Sequence, residues 1–438
     1  MNKFMEFMDK YFIPVATKIG SQRHLVAIRD AFISIMPITM VGSIAVLLNV
    51  FLRDLPNSNG MQNISSFFAP VIAINGNVWF ASIAILTCVF VFALGYHLSV
   101  DYKVNAIAGG LVSFASFVAF LPQTATFEAT IGTTTGMVSS WGLINVNYLG
   151  ATGLFTGLIV GMISSMIYIK LMINKVIIKM PDSVPPAVSK AFASIIPGVA
   201  AVYVAAISSY LIFTITGLPL NDLVAKYIQL PLLGLSQGLF SVVLLSFLVQ
   251  LFWFFGIHGH NVLAPVMDGI YMPALLENVN HFSLHGIQGL PYIWTRGSFD
   301  AYAQMGGSGV TISLIIAILL FSKRDDSKAV AKLSLPMGIF NINEPVTFGM
   351  PIVLNPLYII PWLIIPPICV IVAYSFTAAG MIPPVFVAVP WVMPPGIYAF
   401  LATGGNLLAA LVSLLNVFIA FVIWTPFVLI ANKMEDVQ

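Results

Sequence analysis

Charge is what this sequence has least of. Only 8% of its 438 residues are Asp, Glu, Lys or Arg, where soluble domains carry about 25%. The formal net charge of +2 is too small to suggest a nucleic-acid partner. Cysteine is nearly missing as well. Cys88 and Cys369 both lie in apolar runs, form no CxxC and give no disulfide framework, so they read as small core residues. No cleavable signal peptide is recognisable at the start. Instead Phe4, Phe7, Met8, Tyr11, Phe12 and Val15 recur at helical spacing, with Lys3, Glu6, Asp9 and Lys10 between them. That pattern predicts a helix lying on a membrane surface. The other reading is an ordinary cytosolic start.

What is abundant is hydrophobicity, at 59% of residues with a mean hydropathy of +0.98. The bilayer is therefore the main solvent of an all-α polytopic membrane protein. Apolar stretches fall near 31–52, 72–95, 105–122, 149–169, 192–217, 236–256, 357–376 and 408–431, with a shorter one at 309–322. Residues 381–401 are apolar but hold Pro383, Pro384, Pro390, Pro394 and Pro395, so no regular helix runs through them. About ten transmembrane helices with re-entrant hairpins and amphipathic interfacial helices is the expected architecture.

Basic residues cluster at Lys3–Arg29, at Lys170, Lys175, Lys179 and Lys190, at Lys323–Lys332, and at Lys433. The positive-inside rule makes these places cytoplasmic. Stretches 55–68 and 123–148 contain no Lys or Arg, which suits the outside. Counting spans between the clusters then requires a net crossing within 257–308, a polar and Gly-rich segment. Such backbone survives at membrane depth only when buried in protein or lining a watery cavity. Residues 170–190 read as an amphipathic cytoplasmic linker between a regular half, 1–169, and an irregular half, 191–438. Gly153, Gly157 and Gly161 are spaced for close helix packing, within the chain or between copies.

The irregular half holds three unusual stretches: WFFGIHGHN at 253–261, GGSG at 306–309, and FNINEPVTFGMPIVLNP at 340–356. Intramembrane ionisable residues are functional candidates by default. Glu344 leads, because a buried carboxylate is either neutral or paired, and a raised pKa suits a general base. Its alternative is pairing an Arg or capping a half-helix. Asn341 and Asn343 have the amides to bind a polyhydroxylated ligand. His258 sits between glycines that permit close ligand approach; His260 points differently and ranks second. Gly307, Ser308 and Gly309 can present backbone N–H groups to a hydroxyl or phosphate. Trp253, Trp294 and Trp391 can stack on sugar rings or serve as interfacial anchors. His281 and His285, with the earlier pair, raise a metal site, but no ligand spacing supports it and none is expected. Asp268, Glu277 and Asp300 are expected to face water at a membrane surface.

GIHGHN at 256–261 followed by FNINEPVTFGMPIVLNP at 340–356 resembles the membrane-embedded enzyme IIC of the bacterial phosphoenolpyruvate-dependent sugar phosphotransferase system, in its lactose, cellobiose and diacetylchitobiose branch. The resemblance covers essentially the whole chain, including VATKIGSQRHLVAIRDAFISIMP at 15–37. It implies a multi-pass protein of the bacterial plasma membrane that moves a disaccharide inward while its 6-hydroxyl is phosphorylated. The donor would be a phosphocysteine on a separate IIB protein at the cytoplasmic face. Neither cysteine here is placed to serve, which agrees with a separate partner. The family glutamate, binding that hydroxyl as the base, matches Glu344; the family histidine beside the same hydroxyl matches His258. The resemblance further implies homodimers joined through first-half helices, a sugar held by the second half between re-entrant hairpins, and no cofactor. Which disaccharide is bound stays open. The main rival is a proton-coupled sugar symporter with Glu344 and His258 as proton carriers. A metal transporter built on the histidines and a non-transporting scaffold are weaker rivals.

Overall fold

The computed structural model describes residues 22–435 apart from 59, 132, 133, 182, 351 and 354. The surface helix expected at 1–20 and Pro351 lie outside the described residues. The chain is helical almost throughout. In order come α1 (Arg23–Asn49), α2 (Ala69–Ser82), α3 (Leu86–Asp101), α4 (Ala106–Phe120), α5 (Leu154–Ile173), α6 (Ile195–Thr216) and α7 (Leu239–Phe254). Then follow α8 (Gly259–Val266), α9 (Met272–His285), α10 (Arg296–Tyr302), α11 (Thr311–Phe321), α12 (Asp325–Ile339), α13 (Glu344–Gly349), α14 (Ile359–Ala378), α15 (Ile397–Ala402) and α16 (Leu407–Glu435). Among the described residues six helical runs are long and apolar enough to cross a membrane, or seven if Leu220–Ser236 and Leu239–Phe254, bent by 75°, count as one span. Two shorter apolar helices, Ala106–Phe120 and Ser308–Phe321, add to these.

One element departs from the helical pattern. Strands β1 (Thr124–Ile131) and β2 (Thr134–Trp141) form an antiparallel hairpin, with Thr124 opposite Trp141 and Ile131 opposite Thr134. This stretch is rich in Thr, a β-branched residue that favours strands. It falls in one of the segments free of Lys and Arg.

The described chain forms two compact units. The first comprises Gln22–Gly42 and Asn77–Leu232. Its helices meet through small residues. A Cβ on Gly157 would lie 2.7 Å from both Thr87 and Val91, and one on Gly161 would lie 3.1 Å from Ser113. The glycine row of α5 is thus occupied by contacts within the chain. Asn105 caps α4, while its carbonyl accepts from the Tyr168 hydroxyl at 3.2 Å.

The second unit comprises Ser43–Gly76 and Leu233–Gln438. Here α7 packs on α14, and α11 packs on α16. Between these helices runs the irregular backbone that the prolines and glycines predict. Residues 383–396 form no helix before α15 begins. The π turn Met267–Tyr271 separates α8 from α9. Carboxamide side chains satisfy this backbone. Asn278 donates to the carbonyls of Tyr292 (2.8 Å) and Val385 (3.0 Å) and accepts from Tyr292 N–H (3.1 Å). Gln237 pairs with both the N–H and the carbonyl of Trp294, at 2.8 and 3.0 Å. Asn416 donates to the Tyr302 and Cys369 carbonyls, both at 2.9 Å. Asn432 bridges the Phe321 carbonyl and Lys323 N–H, both at 2.9 Å.

Asn278→Ala should therefore cost more than an ordinary interhelical hydrogen bond. Such bonds average about 0.6 kcal/mol in membranes, because the unfolded chain in lipid finds other partners. Removing this amide instead strands fully buried backbone groups, at about 1–3 kcal/mol each. Thermal unfolding in detergent checks this. A melting temperature equal to the parent's would show that Asn278 is not a brace.

Candidate functional site

The site grows from a break in the helix pattern. After α7 ends at Phe254, Gly256 turns the chain at φ +77°. His258 then becomes the N-cap of α8, and its Nδ1 accepts the Asn261 N–H at 3.3 Å. A ring nitrogen that accepts has no proton, so Nε2 carries the proton of neutral His258. Nε2 faces Glu344, whose Oε1 lies 3.9 Å away. The His258 and Glu344 side chains are 40% and 46% exposed, so both remain reachable. A 3.9 Å separation is too long for a direct hydrogen bond. One hydroxyl between them can accept from Nε2–H and donate to the carboxylate at once.

Glu344 begins α13, and the chain before it is anchored twice. Asn341, at φ +64°, accepts from Gly306 N–H at 2.7 Å. Its amide nitrogen donates to the Trp391 and Met393 carbonyls at 2.6 and 2.8 Å. Both amide hydrogens of Asn341 are spent on backbone, so it joins three loops rather than offering donors to a ligand. Asn343 is buried, donates to Thr347 Oγ1 at 3.0 Å and lies against Gly307. A Cβ on Gly307 would stand 2.6 Å from Asn343 Oδ1, and its backbone is at φ +92°.

His260 turns away from Glu344. The Trp253 indole donates to its Nδ1 at 3.3 Å, and the Ser308 hydroxyl meets the same atom at 3.3 Å. An indole N–H can only donate, so His260 is held neutral with its proton on Nε2. The two imidazoles lie 5.9 Å apart, and Trp253 packs on His258 at 4.4 Å. Ser308 is buried, Gly309 lies against Trp362, and the Trp424 indole donates to the Gly309 carbonyl at 3.1 Å. Trp391 is 46% exposed, and its carbonyl reaches the site through Asn341.

The structure thus joins His258, His260, Gly307, Ser308, Gly309, Asn341, Asn343, Glu344 and Trp391 through direct contacts, from stretches far apart in sequence. It separates the others. Trp294 is fully buried. His281 and His285 face each other at 5.1 Å, and no group of three metal-binding side chains occurs among the described residues. Asp268 and Asp300 do not face open water as expected. Both bind Arg296, Asp268 through Nε at 3.0 Å and Asp300 through Nη1 at 2.9 Å. Arg296, not singled out from sequence, supplies the counter-charge that lets them be buried. The i,i+4 pairing of Arg296 with Asp300 was the signal available.

Residues 29–366 match the family described as "Phosphotransferase system, EIIC". The chain is 42% identical to the "PTS system cellobiose-specific EIIC component" of Lactococcus lactis subsp. lactis, with 100% of both proteins covered. It is 34% identical to the "PTS system oligo-beta-mannoside-specific EIIC component" of Bacillus subtilis, covering 98% of this chain and 94% of that one. Among solved structures it is similar to the IIC transporter of the N,N'-diacetylchitobiose-specific phosphotransferase system. The TM-score is 0.90 at 35% identity, over 98% of each chain.

Gly307→Ala is expected to lower the melting temperature in detergent, because an L-residue in that backbone region costs ~1–3 kcal/mol and its Cβ would meet Asn343 Oδ1 at 2.6 Å. Gly76→Ala, with nothing near its Cβ, is the control. Equal melting temperatures for the two variants would show that the Gly307–Asn343 contact does not constrain this turn.

Proposed function

Because the chain belongs to the EIIC family of the phosphotransferase system, we propose that it is the permease for an extracellular β-linked disaccharide of the cellobiose, diacetylchitobiose or lactose type, presenting the sugar 6-hydroxyl for phosphorylation by a phosphocysteine IIB protein. The observation that carries this reading is the 3.9 Å gap between His258 Nε2 and Glu344 Oε1. It fits one hydroxyl with a donor on one side and a base on the other. As the hydroxyl oxygen bonds to phosphorus, its proton passes to the Glu344 carboxylate. The phosphorus–sulfur bond breaks, and its electron pair leaves on the IIB thiolate. Phosphoryl transfer asks little else of the acceptor side than positioning and charge handling. His258 holds the hydroxyl oxygen through Nε2–H. Asn343, Gly307 and Ser308 shape the floor beneath, and Trp391 offers a stacking face to a sugar ring. The names of the relatives support the β-disaccharide class. The family resemblance supports a homodimer joined through residues 1–169, with 170–190 as linker and the sugar path in 191–438.

Proteoliposomes loaded with phosphorylated IIB and given labelled cellobiose or diacetylchitobiose outside test the reading. Sugar 6-phosphate should collect in the lumen with or without a proton gradient. Free sugar that accumulates only with the gradient would instead make the chain a symporter and Glu344 a proton site. In the same assay Glu344→Gln should lower phosphorylation about 10²–10⁴-fold, the usual contribution of a general base, while sugar still binds. Normal turnover by that variant removes the base assignment. His258→Ala should be the more damaging of the two histidine variants. If His260→Ala loses more turnover, the hydroxyl sits on the other imidazole.

A further inference from the structure

Arg296 and Asp268 are charged groups that the phosphorylation reading does not use. Arg296 sits at the start of α10 behind a capping box made by Thr295 and Ser298. Its Nε binds Asp268 Oδ1 at 3.0 Å, and its Nη1 binds both oxygens of Asp300 at 2.9 Å. The guanidinium is thereby fixed in plane. Its Nη2 makes no hydrogen bond to a described residue, and the side chain keeps 19% exposure beside the 16% of Asp268. Asp268 itself lies in the π turn Met267–Tyr271, an irregularity that recurs at functional sites. A buried ion cluster is a poor way to stabilise a fold, since apolar replacements often do as well or better. A fixed guanidinium beside a carboxylate matches a pair of sugar hydroxyls, one accepting and one donating.

The same stretch of chain links this pair to the His258–Glu344 site. Asp268 follows His258 by ten residues on a helical run, roughly 15 Å of rise. Arg296 is close enough to His260 for its charge to be felt there, and His260 adjoins His258 at 5.9 Å. We infer that Arg296, through Nη2, and Asp268 form a subsite for hydroxyl or acetamido groups on the ring that is not phosphorylated, and so set disaccharide specificity. The inference rests on the sugar reading given above.

Calorimetry on the detergent-solubilised full chain tests it. The probes are whichever of cellobiose and diacetylchitobiose binds more tightly and its analogues deoxygenated at single hydroxyls of the distal ring. For the parent protein, one analogue should bind about 10- to 100-fold more weakly than the intact sugar, as for a lost hydrogen bond to a charged group. Arg296→Lys should bind that analogue and the intact sugar alike. With phosphorylated IIB, its KM should rise while kcat at saturating sugar stays near the parent value. A purely structural role would weaken all sugars equally or reduce only the folded fraction, and either result overturns the subsite. If Arg296→Lys does not fold, Asp268→Asn is put through the same comparison, and retained discrimination overturns the inference. Absence of any β-disaccharide binding by the parent removes the sugar reading itself, and the subsite with it.

Discussion

Backbone that is not helical has to find its hydrogen bonds somewhere, and in an apolar chain it cannot count on water. This constraint organises the second unit. Prolines and glycines interrupt its helices, and each interruption frees N–H and C=O groups. The chain answers with carboxamides, which carry a donor and an acceptor on one short stem. Asn278, Gln237, Asn416 and Asn432 each hold the end of a helix or the bend after it. Indoles contribute where only a donor is needed, as Trp362 does to the Gln250 carbonyl at 2.9 Å. The amides fix the loops, and the loops in turn fix the site.

Asn341 shows how bracing passes into chemistry. It ties the Gly306 amide to the carbonyls of Trp391 and Met393, so the GGSG turn, the NINEP turn and the Pro-rich loop share one joint. Glu344 stands three residues beyond that joint, and its position is inherited from it. His258 is placed by a different device, the cap of α8. His260, two residues further on, is turned inward by Trp253 and Ser308 and kept neutral by the indole. The two histidines thus have distinct surroundings because the helix start sends one outward and the other into the packing.

Much of this was legible in the sequence, for physical reasons. Runs of apolar residues interrupted by Pro383 to Pro395 could not be one helix, and the structure has none there before Gly396. The carboxylate of Glu344 in broken backbone stood out because charge is so rare around it. Other features were hidden. The hairpin at 124–141 is a local preference of Thr-rich sequence, with a signal much weaker than that of an apolar span. Asp268 and Asp300 looked like surface charges because their partner, Arg296, lies 28 residues from one of them. Asn341 resembled a ligand-binding amide, since sequence shows that an amide is present but not where its hydrogens go. The comparison with solved relatives supplies the fold directly, yet it does not say which amide is structural.

His258 and Glu344 stand apart instead of bonding. A charge-assisted hydrogen bond between them would contribute about 1.5–3 kcal/mol, and an incoming hydroxyl would have to break it. At 3.9 Å that bond is not made. Each group instead keeps its hydrogen-bonding capacity free of the other. On the proposed reading, interactions formed only as the hydroxyl loses its proton act on the transition state rather than on the resting protein. The same logic sets the direction of the proton. His258 Nδ1 is occupied by Asn261 N–H, so Nε2 can give a hydrogen bond but cannot accept the hydroxyl proton while neutral. On the proposed reading the proton goes to Glu344, with the carboxylate as the base and the imidazole as the group that orients.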